Sequence, residues 1–169
     1  MAKQKEEKTN VMRVLEQHEI PYIPHSYPAD GPVDGVSVAK ALGQDVEQVF
    51  KTLVCKGASG AHYVFDIPVA ESLDLRKAAK AVGEKSVAMI PQKELLPLTG
   101  YVHGGCSPIG MKKQFPTFAD ATIADGETVV LFESICVSAG KIGHQVEVDP
   151  AVLMDFLGAT AADLTVEGK

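Results

Sequence analysis

The stretch "KTLVCKGASGAHYVFDIPV", residues 51–69, decides the fold class. Both of its ends alternate in side-chain character with the period of a strand, and "KGASG" between them is turn chemistry, so the spacing predicts a β-hairpin. With Phe50 included, alternation puts Phe50, Thr52 and Val54 on one side and Lys51, Leu53 and Cys55 on the other. A cation thus shares a face with apolar neighbours at the start of a core strand. One reading is a lysine whose stem covers Leu53 while its tip reaches water. The other is a pocket lysine, because an ammonium brings three donors that hold a carbonyl or phosphate oxygen. Thr52 offers a hydroxyl beside it, and a kink at the strand end is needed for both to converge.

Upstream of the hairpin, Thr9 or Asn10 caps a helix that carries Val11, Met12, Val14 and Leu15. The two prolines of "IPYIPHSY" (20–27) make that segment an edge strand or an extended run. "DGPVDG" (30–35) is loop, "VSVAKALG" (36–43) a short helix ending at Gly43, and Asp45 opens another helical turn. Downstream, Asp74 caps "LRKAAKAVG", with Leu75, Ala78, Ala79 and Val82 as its apolar stripe and Gly83 as its stop. "SVAMI" (86–90) reads as a strand, and Pro91 opens the helix "PQKELL". "GYVHGG" reads as a strand running into "GGCSPIGMKK", and "TVVLFESICVS" (128–138) as a helical turn followed by a strand. "QVEV" (145–148) alternates, and Asp149 with Pro150 starts a last helix that Gly158 closes. These elements lack the β-α-β-α rhythm of a doubly wound sheet. The expected fold is a mixed α/β single domain, with a strongly bent, barrel-like mixed sheet surrounded by helices.

Bulk properties narrow the function. The 169 residues suit one domain, and 46% hydrophobic content builds its core. No apolar run approaches membrane-spanning length, and the charged start "MAKQKEEKTN" lacks the apolar region of a secretory signal, so a cytoplasmic protein with no membrane partner is expected. Net charge is −6, which argues against strong sequence-independent nucleic-acid binding, DNA included. Small basic groups remain at Lys112–Lys113 and at Arg76, Lys77 and Lys80, where exposed helix charges ordinarily just solvate the surface. Cys55, Cys106 and Cys136 are widely spaced and form no C-x-x-C pair, so free thiols are expected. His18, His25, His62, His103 and His144 show no metal-binding spacing, and neither a metal nor a cofactor is expected.

Two further stretches carry chemistry. In "GGCSPIG" (104–110) the glycines admit close backbone approach to a ligand, while Ser107 is held extended by Pro108. It is neither a phosphate-binding G-K-[ST] loop nor a nucleophile elbow; the plain alternative is a tight connection. Cys106 within it is either a reactive thiol or a small space-filling residue. In "SAGKIGHQ" (138–145), Ser138 ends a strand at a glycine turn of the kind that borders ligand sites.

"VFKTLV", "GGCSPIGMKK" and "SAGKIG", in this order and at these separations, resemble the YbaK/EbsC family, which edits mischarged aminoacyl-tRNA in trans and is related to the editing domain of bacterial prolyl-tRNA synthetase. The resemblance runs from about residue 9 to residue 157 and includes "HSY" and "LDLRKAAKAVGEKSV". It implies a flexible segment at 1–8, an editing domain at 9–158 and a tail at 159–169. It also implies Lys51 as the functional, catalytic lysine. Tyr27, Thr52, the loop residues Gly104, Gly105, Ser107 and Pro108, and Ser138 are its implied substrate-binding residues. The implied substrate is mischarged Cys-tRNA(Pro), with prolyl-tRNA synthetase as partner. Deacylation of Ala-tRNA(Pro) or another aminoacyl-tRNA, or a non-enzymatic binding module, stand as alternatives. One departure is visible: some relatives carry an aspartate where this chain has Gln145.

Overall fold

The computed structural model describes residues 8–31, 34–123 and 133–166. The hairpin is present: β2 (Phe50–Gly57) pairs antiparallel with β3 (His62–Pro68), in unbroken register from Phe50↔Pro68 to Lys56↔His62. Upstream lie α1 (Asn10–Gln17), the edge strand β1 (Ile23–Ser26) and α2 (Gly35–Ala41). The helical turn begun at Asp45 is a 3-10 turn over Val46–Gln48. Downstream come α3 (Leu75–Val82), β4 (Val87–Met89), α4 (Gln92–Thr99), β5 (Thr117–Asp120), β6 (Ile135–Ser138), β7 (His144–Val148), α5 (Pro150–Leu157) and β8 (Thr160–Ala162). Caps fall where the sequence puts them. The Thr9 hydroxyl accepts the Met12 N–H at 3.2 Å, Asp74 and Asp149 accept first-turn amides, and Gly83 and Gly158 end their helices in the left-handed region. Among the described residues no helix is long and apolar enough to cross a membrane.

The strands form two open sheets, one of three strands in the order β1-β7-β6 and one of five in the order β4-β2-β3-β5-β8. The expected barrel-like sheet is absent among the described residues. Closure needs a continuous ladder around the circumference. Among the described residues the sheets are joined by a single parallel bridge, Val49↔Cys136, just before β2, and β4 reaches β2 only over Cys55–Gly57. Among the described residues, the outer edge of β2 over Phe50–Leu53 has no ladder partner between these junctions. A cavity opens at that gap.

Two further readings are corrected. Residues 100–105 form no strand and lie in a loop. The expected tail instead contributes β8, parallel to β5, and Leu164 beyond it is fully buried. Ser138 does end a strand, β6; the first part of the segment that begins at Thr128 lies outside the described residues.

Both faces of the hairpin are covered. Val54 and Val64 join Leu15, Ile109, Ile135, Val137 and Val146 in the larger core. Cys55, Phe65 and Ile67 pack with Ala78, Ala79 and Leu164 in a second. Burial on both sides explains why β3 reads as an almost unbroken apolar run rather than a clean alternation. A small third cluster, Ala39, Val49, Val69 and Cys136, seats α2 over the junction of the sheets.

Candidate active site

Ladder parity determines what faces the gap. The Val69 N–H donates to Val49 O at 2.9 Å and the Gly57 N–H to Ala61 O at 2.8 Å. Odd-numbered residues of β2 therefore turn their backbone groups toward β3, and Phe50, Thr52 and Val54 turn theirs outward. Val54 O is taken by the Ile90 N–H at 3.2 Å, where β4 begins to cover the edge. Below that point a cavity of about 350 Å³ opens to solvent, at the small end of the range for ligand pockets.

Phe50, Lys51, Thr52 and Leu53 all line it. Four consecutive strand residues can border one space only along a strand edge, since their side chains alternate between faces. The unbroken register shows that no kink is needed. Tyr27, His103, Gly104, Cys106, Ser138 and Gln145 line the same cavity. Lys51 is half-buried, and its Nζ donates to the Val69 carbonyl at 3.3 Å.

Lys51, Thr52, Tyr27, Gly104 and Ser138 are thus brought together, although they come from four separate segments. Gly105, Ser107 and Pro108 are buried and do not line the cavity. The Ser107 hydroxyl accepts the Ile109 N–H at 3.3 Å, inside the loop. The Gly105 N–H is held by Val102 O at 2.9 Å. A Cβ on Gly105 would lie 3.1 Å from the Ile142 nitrogen, so the missing side chain lets the 104–105 loop seat against the turn that follows β6. That turn is itself pinned: the Ser138 hydroxyl accepts the Gly140 N–H at 3.1 Å, and the Tyr27 N–H donates to Gly143 O at 2.9 Å.

One group, hydrogen-bonded to a residue that lines the cavity, escapes a motif-based reading. Asp66 lies opposite Thr52 in the β2–β3 ladder, and the Thr52 hydroxyl donates to its Oδ1 at 2.6 Å. Asp66 is only 5% exposed, and burial pushes its pKa up to about 7, against the opposing pull of the Thr52 bond. The sequence signal was present, as a carboxylate inside "HYVFDIPV", but alternation alone reads such a residue as solvent-facing. Cys106, in the loop the sequence singles out, lines the cavity. Burial, with the nearby Asp66 charge adding to it, pushes its thiol up to about 12, so it stays protonated at neutral pH and is a poor nucleophile.

Gln145 carries the sequence departure. It is buried, lines the cavity, and accepts a hydrogen bond from Gln44 Nε2 at 2.7 Å. Farther along the same sheet face, His25, Cys136 and Glu147 place ligand atoms within 4.8 Å of one another. These are already engaged: His25 Nε2 lies 2.7 Å from Glu147 Oε1, Ser134 donates to the other Glu147 oxygen, and Gln44 donates to Cys136 Sγ at 3.5 Å. The Ser134 bond first, and then His25, holds Glu147 below the usual carboxylate range.

Residues 33–156 match the model of the aminoacyl-tRNA editing domain, and the chain belongs to that family. A protein of Enterococcus faecalis (strain ATCC 700802 / V583), provisionally named Cys-tRNA(Pro)/Cys-tRNA(Cys) deacylase EbsC, is 42% identical over 169 residues, or 99% of each chain. Among solved structures, one provisionally titled a trans-editing enzyme for prolyl tRNA synthetase is 26% identical, with a TM-score of 0.78 over 93% of this chain and 95% of that one. The hypothetical protein APE2540 has the same fold, with a TM-score of 0.81, 20% identity, and 92% and 99% coverage.

Proposed function

We propose that the protein is a trans-editing deacylase that removes cysteine from mischarged Cys-tRNA(Pro). Its substrate is then an aminoacyl ester on the terminal ribose of tRNA. The observation that carries this reading is the meeting of Lys51, Thr52, Tyr27, Gly104 and Ser138 around one cavity. The names of the similar proteins support the same substrate class.

In this mechanism Lys51 positions the substrate. Its ammonium exchanges the Val69 carbonyl for the ester carbonyl or the terminal phosphate. Gly104 borders the ester with bare backbone, while Gly105, Ser107 and Pro108 hold the loop in shape from behind. With Cys106 held as a thiol, the substrate's own sulfur is the attacking atom. It adds to the carbonyl carbon, the ester C–O bond breaks, and a four-membered thiolactone leaves the tRNA, to be hydrolysed by water. Held reactants reach effective molarities of roughly 10⁵ M or more, but ring strain places this closure well below that ceiling. Selectivity is the gain, because a prolyl or alanyl ester has no thiol to attack with, whereas a pocket alone separates such small groups poorly. The setting is the cytoplasm, with prolyl-tRNA synthetase delivering the mischarged tRNA.

The test is a deacylation panel on purified protein with Cys-, Ala- and Ser-charged tRNA. Release of cysteine alone is the expected result. Preferential release of alanine or serine would replace the substrate, and Gln145, a neutral amide where some relatives carry a carboxylate, is the residue to examine in that event. Inertness toward all three would leave a non-enzymatic binding role.

A further inference from the structure

We propose that Thr52 and Asp66 form a proton relay, in which Asp66, from behind the cavity wall, accepts through the Thr52 hydroxyl the proton that the attacking group of the substrate loses. The inference rests on the deacylase reading above and adds the base that reading lacks. A thiol attacks as the thiolate, so a thiol-assisted cleavage needs a proton acceptor near the substrate sulfur.

The geometry supplies one. Thr52 lines the cavity, and its hydroxyl donates to Asp66 Oδ1 at 2.6 Å, a short bond of the kind a carboxylate acceptor makes. That orientation leaves the Thr52 oxygen lone pairs to accept from the cavity. The two residues are direct cross-strand partners, so the ladder fixes their separation. Asp66 is buried among Thr52 of β2, Ala119 across the parallel ladder of β5, and the loop that carries Cys106. The charged and titratable neighbours are few. Cys106 keeps its proton. Lys51 projects from the opposite face of β2 and reaches the Val69 carbonyl. Asp120 alternates away and is held by the Leu164 N–H at 3.0 Å and by Thr122. His103 borders the same cavity from the loop. Burial without a cation partner brings Asp66 to about 7, the range in which a base works best at neutral pH.

The step balances. The substrate S–H proton passes to the Thr52 oxygen as the Thr52 proton passes to Asp66 Oδ1. The S–C bond forms and the ester C–O bond breaks. The proton then returns by the same route to the departing ribose oxygen, leaving Thr52 and Asp66 as they began.

The experiment compares wild type, Asp66→Asn, Thr52→Val and Thr52→Ser on Cys-tRNA(Pro), with the Asp66 carboxyl followed by carbon-13 NMR titration. Asp66→Asn and Thr52→Val are expected to lower kcat by about 100-fold or more with little change in KM. Thr52→Ser regains most of what Thr52→Val loses. The wild-type rate climbs with pH to a midpoint near 7, and Asp66→Asn removes that limb, which a merely structural role would leave in place. In the titration, Asp66 changes charge near neutrality, and the midpoint moves higher in Thr52→Val because the bond that favours the carboxylate is gone. An active wild type whose Asp66→Asn form keeps both rate and pH profile overturns the relay alone. So does an Asp66 that titrates near 4. A wild type inert toward Cys-tRNA(Pro) overturns the deacylase reading and the relay with it.

Discussion

At position 51 the alternation of β2 calls for a core residue and the chain carries an ammonium. Lys51 pairs with Ile67 of β3, and its side chain borders the cavity that opens beside the outer edge of β2. Lys51→Ala should therefore abolish Cys-tRNA(Pro) deacylation while leaving the melting temperature nearly unchanged. Lys51→Arg should not restore full activity, because a planar fork does not reproduce a compact ammonium. Wild-type turnover in Lys51→Ala would remove the lysine from the mechanism. Asp66 allows a prediction about stability. Its folded-state pKa of about 7 lies above the ordinary 3.8, so between those values the folded chain holds a proton the unfolded chain has released. Its stabilising contribution is full below about pH 4 and is lost as pH rises through 7, an effect of roughly 4 kcal/mol at 1.36 kcal/mol per pKa unit. Urea unfolding of wild type and Asp66→Asn at pH 5 and pH 8 should show the difference shifting toward the variant at the higher pH. Parallel curves would mean that the carboxyl does not titrate in this window. Alternation made Lys51 conspicuous but left it open between a solvent-tipped stem and a pocket group, because what opens beside β2 depends on distant segments. Asp66 was not legible, because its burial depends on β5 and the Cys106 loop, both distant in sequence.

Among the elements, those with local causes were legible. The hairpin follows from alternation around a turn, and α1, α3 and α5 follow from their caps and stops. What escaped depends on partners far along the chain. β5 and β8 have 4 and 3 residues, too few for a period to register, and each exists through a parallel ladder. The segment 100–105 has strand-like composition but becomes a loop, with Val102 O and the Gly105 N–H closing a turn inside it. The same dependence makes the C-terminal segment structural. Leu164 is fully buried in the core cluster beneath α3, its N–H is held by Asp120, and the Asp74 N–H donates to its carbonyl at 2.7 Å. Leu164→Ala should lower unfolding free energy by about 3 kcal/mol, whereas Val166→Ala, at an exposed position, should change it by less than about 0.5 kcal/mol. Equal, small effects from both would show that residues after β8 do not pack as described.

At the scale of the whole molecule, the substrate is a polyanion and the protein carries a net charge of −6. Of the basic group on α3, Lys77 is engaged with Asp163 at 2.9 Å and with the Thr165 carbonyl. Affinity for nucleic acid grows with the number of phosphates neutralised, and that number sets how steeply binding falls with salt. A cavity of about 350 Å³ accommodates only the charged end of the tRNA, which gives little area from which to build affinity. The protein alone should therefore bind uncharged tRNA(Pro) with a Kd in the micromolar range or weaker at physiological salt, with a shallow salt slope. Under the proposed function, delivery would fall to a partner that already grips the tRNA, because tethering turns a weak second encounter into a local one. Adding prolyl-tRNA synthetase should raise the rate of Cys-tRNA(Pro) deacylation at limiting tRNA, and high salt should remove more of that enhancement than of the basal rate. Nanomolar tRNA binding by the isolated protein at physiological salt would show that it needs no such delivery and that the charge argument is mistaken.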